Sequence, residues 1–144
     1  MTNAKQHYRS PDAVEAIVRG FESCTLTPAE FNHQSHLVVA LCYLLNSDVT
    51  AATERMRRGL HTFLIHHGHD IQIYNETITV FWVKRVQGFL EQTNVERPLV
   101  NLANDLVKTC DDARLIYNYY SKERLMSDAA RLHWQEPDLQ GLDF

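Results

Sequence analysis

From Phe31 the chain runs F-N-H-Q-S-H-L-V-V-A-L-C-Y-L-L, and His33, His36, Leu37, Ala40, Leu41, Leu44 and Leu45 fall at i, i+3, i+4, i+7, i+8, i+11 and i+12. That spacing describes one face of an α-helix and no face of a strand. The upper part of the face is aliphatic, and its first turn is two imidazoles. Buried polar groups left without partners cost about 1–3 kcal/mol each. A fold built on this helix must therefore bring partners to His33 and His36.

The rest of the chain is also helical in pattern. Gly (5) and Pro (4) are scarce among 144 residues, and no strand-like alternation persists. Ser10-Pro11-Asp12 predicts a helix start, with Ser as cap and Pro in the first turn, and a first helix to about Cys24. Thr27-Pro28-Ala29-Glu30 has capping-box spacing and introduces the second helix, which ends near Leu45. A third helix covers about Val49 to His67 and stops at Gly68; a fourth begins at Asn75 or Glu76 and reaches about Gln92. Pro98 opens a fifth, whose stripe stays in register across Asp111-Asp112, predicting one long helix, or two nearly collinear ones, to about Ser121. A short sixth helix spans Ser127 to Trp134, and Glu136-Pro137-Asp138-Leu139 is an extended segment laid across the bundle through Trp134 and Leu139. The expected architecture is all-α: a single domain over residues 1–144, a five-helix up-and-down bundle with a short sixth helix and an extended C-terminal tail.

Composition narrows the function classes. A net charge of −4 argues against a nucleic-acid binder working through a broad basic face. The basic cluster Arg55-Met56-Arg57-Arg58 is balanced by Glu54 and reads as the solvated side of a helix. The apolar run Leu37 to Leu45 is about half the length a membrane span requires. Three cysteines (Cys24, Cys42, Cys110) without a C-x-x-C pair, and a polar N-terminus without signal-peptide character, fit reduced thiols in a cytoplasmic protein.

Short connections force antiparallel neighbours, so the start of helix 2, the end of helix 3 and the start of helix 4 share one end of the bundle. His33, His36, His67 and Glu76 fall at that end, each on an inward face, with Tyr74, Thr79 and Tyr120 around them. Three imidazoles and a carboxylate form a ligand set for a divalent transition metal, zinc or iron first. With an open position, such a site activates water, with Glu76 as ligand or general base. The alternatives are neutral core imidazoles hydrogen-bonded to Glu76, Tyr120 or backbone, and a Glu76 that only complements a helix dipole. His61 points away from the third helix's apolar face. No H-E-x-x-H, G-x-S-x-G, phosphate-binding glycine loop or E-x-x-H pair is present.

The segments F-N-H-Q-S-H-L (31–37), Y-N-E-T-I-T (74–79), Y-S-K-E-R-L-M-S (120–127) and W-Q-E-P-D-L (134–139) resemble those of a group of small bacterial proteins of unassigned function. Their pattern is F-x-H-x-x-H-L, Y-H-E-T-x-T, Y-S-R-E-x-L and W-x-x-P-D-L. The resemblance spans about Phe31 to Leu139 and implies that His33, His36, Glu76, Thr77, Thr79 and the Ser121–Arg124 stretch belong to one site. It supplies no substrate. The chain departs at Asn75, where the group tends to show His; a metal that used that His would be held less well here, unless His67 or His69 compensates.

Three functions stay open. The first is an enzyme, possessing Glu76 as its catalytic group and a metal on His33, His36, His67 and Glu76, that hydrolyses a small molecule. The second is a non-catalytic protein holding a small-molecule ligand or effector in the same pocket, with Tyr74, Thr77, Thr79 and Tyr120 as contacts and Lys122 and Arg124 near its rim. The third is a structural or interaction bundle. Nucleic acid and membrane are not expected partners, and a homodimer is left open.

Overall fold

Each helix of a dozen residues or more but one begins where a side chain accepts from an otherwise orphaned backbone amide. In the computed structural model, which describes residues 8–144, Ser10 caps α1 (Pro11–Glu22), Asn32 caps α2 (His33–Asn46), Asp48 caps α3 (Val49–His66) and Asn75 caps α4 (Glu76–Glu91). The exception is α5 (Leu99–Cys110), which starts after Pro98, whose fixed φ suits a helix entry. Two one-turn helices follow, α6 (Lys122–Leu125) and α7 (Asp128–Leu132), capped by Ser121 and Ser127. The described residues contain helices and no strand, so the fold is an all-α bundle. The polar N-terminal stretch lies largely outside the described residues.

Helix α2 is the axis of the bundle and packs against α1, α3, α4 and α5. Its sequence carries no formally charged Asp, Glu, Lys or Arg from His33 to Asn46, and Leu37, Val38, Val39, Ala40 and Leu41 are essentially inaccessible. A helix that is apolar on most sides belongs in the middle of a core. The outer helices are amphipathic and bury one stripe each, such as Ala52, Met56 and Phe63 of α3, and Leu102, Leu106 and Val107 of α5. Phe21 of α1 reaches α3 through the gap left by Gly59, where a Cβ would lie 2.5 Å from its ring. Helix α3 ends as expected at Gly68, whose φ of 76° is the left-handed conformation glycine adopts without cost.

Three boundaries depart from the sequence expectation. The Thr27–Glu30 capping box forms (Glu30 N donates to Thr27 Oγ1 at 3.1 Å, and Thr27 N to Glu30 Oε1 at 2.8 Å), but it closes a separate turn, and α2 starts later, at His33. The long fifth helix ends at Cys110. Asp112 then takes an extended conformation and accepts from Arg114 N at 3.0 Å, starting a 3-10 segment, Ala113–Asn118. A short acidic side chain bonding its own backbone two residues on competes with the helical ladder. In consequence Ile116, Tyr119 and Tyr120 face the core and Tyr117 is exposed.

The third departure is the tail. The Leu139 side chain is exposed and does not anchor it, although its backbone N donates to the Tyr119 carbonyl at 2.9 Å. Polar contacts do: Ser121 donates from N and Oγ to Asp138 at 2.8 and 2.6 Å, Arg124 Nε to the Glu136 carbonyl at 2.7 Å, and Tyr120 Oη to the Gln135 carbonyl at 2.6 Å. Phe144 completes the strap, with its ring edge-on to Phe81 and its backbone against Gly88. No helix among the described residues is long and apolar enough to cross a membrane.

Candidate functional site

Glu76 is the first residue of α4, and Arg57 lies midway along α3, which packs beside it. Arg57 donates from Nε to Oε1 of Glu76 at 3.0 Å and from Nη2 to Oε2 at 2.5 Å, the two-point match of a planar guanidinium to a carboxylate. Tyr74 Oη donates a third bond to Oε1 at 2.7 Å. Burial opposes ionisation of Glu76, but the bonds from Arg57 and Tyr74, with the charges of Arg57 and His61, outweigh it and hold the carboxyl below its ordinary range. Those same bonds keep Arg57 more firmly protonated. Burial first, and the bond to Glu76 second, push Tyr74 up, so it stays a neutral donor.

Around this triad is a cleft of about 620 Å³, within the range of small-molecule sites. One wall is α3, with Arg57 and, one turn on, His61, whose ring stands edge-on to Tyr74 at 4.4 Å. A 3-10 turn, Ile71–Ile73, capped by Asp70, presents Ile71 and Gln72 to the mouth. The opposite wall is α7 and the residue pair after it: Arg131, Leu132, His133 and Trp134.

Thr77 sets the position of that wall. It is fully buried on α4; its hydroxyl lies 2.7 Å from the Ala130 carbonyl and 3.0 Å from that of His133, and it accepts from Gln135 N at 3.2 Å. Asn75 adds a tie, donating from Nδ2 to the Leu125 carbonyl at 2.9 Å while capping α4 with its oxygen. Asn75 thus serves as cap and strut.

The expected ligand set divides. Glu76 meets Arg57 and Tyr74 rather than imidazoles. His33 Nε2 pairs with the Cys110 carbonyl at 3.0 Å, and its ring packs on Trp82. His36 packs near Phe31 and His67 near Phe63, and the Nε2 of each is buried without a hydrogen-bond partner. Burial, and secondly His33, push His36 down to about 4, so it is a neutral imidazole. Among the described residues no three His, Cys, Asp or Glu side chains are grouped to hold one ion.

The other expected contacts are placed as follows. Thr79 is buried and returns its hydroxyl to the Asn75 carbonyl at 3.1 Å. Tyr120 is fully buried. Lys122 and Arg124 lie outside the lining of the cleft, Lys122 exposed and Arg124 held by the tail. Of the expected site residues, Tyr74 and Glu76 alone line it.

Arg57, His61, Arg131 and His133 were not among the expected residues. Arg57 and His61 are four apart on one side of α3, and an acidic helix start 19 residues beyond Arg57 was the available signal for a cross-helix pair. Compared with protein-family models, curated proteins and solved structures, the chain shows no match.

Proposed function

We propose that this protein binds a small organic molecule in the cleft between α3 and α7, without transforming it. The observation that carries this reading is the state of Glu76. Both its oxygens are occupied by Arg57 and Tyr74, and its carboxyl is held ionised. A general base near neutrality needs a free lone pair and a pKa near the working pH. Glu76 accepts three bonds on its two oxygens and its carboxyl is held below the ordinary carboxylate range, away from neutrality, so it acts instead as the keystone that fixes Arg57 and Tyr74 in the floor. On this reading the segments shared with the bacterial group separate into two roles. Tyr74, Glu76 and Trp134 face the ligand, whereas Thr77, the 120–127 segment and residues 135–139 hold the opposite wall.

The test is ligand-observed NMR against a mixture of small aromatic and aliphatic compounds, using the wild type and Leu132→Glu. Leu132 is exposed at the mouth, so this change alters the cleft and spares the core. Hits that bind the wild type and are lost in the variant support the reading. Hits that bind both equally, or no hits, overturn it.

A second reading, metal-assisted hydrolysis, is favoured by the unpartnered Nε2 atoms of His36 and His67, which an ion would satisfy. It would also require Glu76 to leave its two partners. Stoichiometric zinc or iron in the purified protein, lost in His36→Ala/His67→Ala, would replace the binding reading with this one.

A further inference from the structure

Resting on the binding reading, the cleft also carries information about ligand class. Its fixed charges are Arg57, Arg131 and Glu76, and His61 and His133 also line it. Arg57 is committed: its Nε and Nη2 go to Glu76 and its Nη1 to Glu54. Arg131 is not committed in the same way. Its charged partner is Asp128, at 3.2 Å, whose side chain is 89% exposed, whereas that of Arg131 is 26% exposed. A pair with so hydrated a carboxylate is weak and exchanges readily for another anion. The cleft thus has one cation in excess, partly shielded from water, on its α7 wall.

The rest of the lining is apolar or aromatic. Ile71 and Leu132 stand at the mouth, 39% and 57% exposed, and Trp134 and Tyr74 lie deeper. Exposed aliphatic side chains beside a cation suit a molecule that has both an apolar body and a negative head.

We infer that the ligand is a small organic monoanion, its charged group paired with Arg131 and its apolar body laid over Ile71, Leu132 and Trp134. Asp128 is then an internal competitor for Arg131, displaced when the ligand binds.

The probes are 1-anilinonaphthalene-8-sulfonate, followed by its fluorescence, and octanoate and 1-octanol as competitors. The wild type is expected to bind the sulfonate saturably, to release it to octanoate and to resist octanol. Arg131→Gln should weaken binding roughly tenfold, the order expected for losing one charge-assisted hydrogen bond. Asp128→Asn should tighten it by about twofold to fivefold, as a freed surface cation allows. Leu132→Glu should abolish it. Saturable binding that Leu132→Glu removes but Arg131→Gln leaves unchanged, with octanol competing as well as octanoate, overturns the anion inference and leaves the cleft as a neutral-ligand site. Absence of saturable binding by either anion in the wild type overturns the anion inference as well. Failure of the wider compound mixture in addition removes the binding reading itself.

Discussion

Arg57 and Glu76 are joined by two parallel hydrogen bonds across the α3–α4 interface, and their side chains are 33% and 13% exposed. This pair closes the floor of the cleft and ties α3 to α4. A fully buried pair loses about 3–5 kcal/mol when one partner is removed. Arg57 reaches water, so the loss for Glu76→Ala is smaller, about 1–2 kcal/mol. Glu76→Gln keeps a hydrogen-bonding oxygen and costs less. Urea unfolding of Glu76→Ala, Arg57→Ala and the double variant should give a coupling of about 1 kcal/mol. Strict additivity would mean that the pair contributes nothing to the fold.

Thr77→Val removes the hydroxyl that serves the Ala130 and His133 carbonyls and Gln135 N, at nearly constant volume. Three backbone groups then lose a partner, and the expected destabilisation is about 1–3 kcal/mol. Hydrogen exchange should accelerate over residues 128–135 before it does in α2. A variant with uniform exchange changes would show that Thr77 does not position the α7 wall.

Gly59→Ala sets two effects against each other. Alanine gains about 1 kcal/mol in helix propensity. Its Cβ, however, would lie 2.5 and 2.7 Å from atoms of the Phe21 ring, which is buried against Phe31 and Phe63. Overpacking costs about 1–3 kcal/mol, so net destabilisation is expected by thermal unfolding. A more stable variant would mean that the Phe21 ring moves aside freely.

His36 makes the fold sensitive to acid. Its pKa falls from 6.5 to about 4 on folding, because burial and then His33 disfavour the charged form. As pH falls below the unfolded value, the unfolded chain takes up the proton first. Stability is therefore lost between pH 6.5 and about 4, and the effect levels off below that. His36→Leu also removes a buried Nε2 that has no partner. It should be at least as stable as the wild type near neutrality, and it should lose roughly 1–3 kcal/mol less on acidification to pH 4. Equal dependence of the urea midpoint on pH in both proteins would contradict this assignment. His33, also lowered by burial, supplies part of the remaining slope.

Much of the fold was legible because local chemistry decides it. Ser10 caps a helix as expected, Gly68 ends one, and the uncharged run of α2 makes a central helix. The break at Asp112 was hidden because apolar periodicity continued through it, while the side-chain bond to Arg114 N that ends the helix leaves no periodic trace. In the cleft, Tyr74 and Glu76 stood out as residues at a helix start. Arg57 and His61 did not, since a helical wheel orients side chains only relative to their own apolar stripe. What turns them into lining is a carboxylate on another helix. Arg131 and His133 were further out of reach: α7 is a single turn whose placement depends on Thr77, more than fifty residues earlier.

The two tryptophans separate the cleft from the core. Trp134 lines the cleft, and Trp82 is buried beside His33 and Phe81. The decisive measurement is a proton–nitrogen correlation spectrum of the wild type titrated with 1-anilinonaphthalene-8-sulfonate. The indole N–H signal of Trp134 should shift saturably, together with amides of residues 71–74 and 131–133, while that of Trp82 stays in place. A saturable shift centred on Trp82, or on amides away from α3 and α7, would contradict the account.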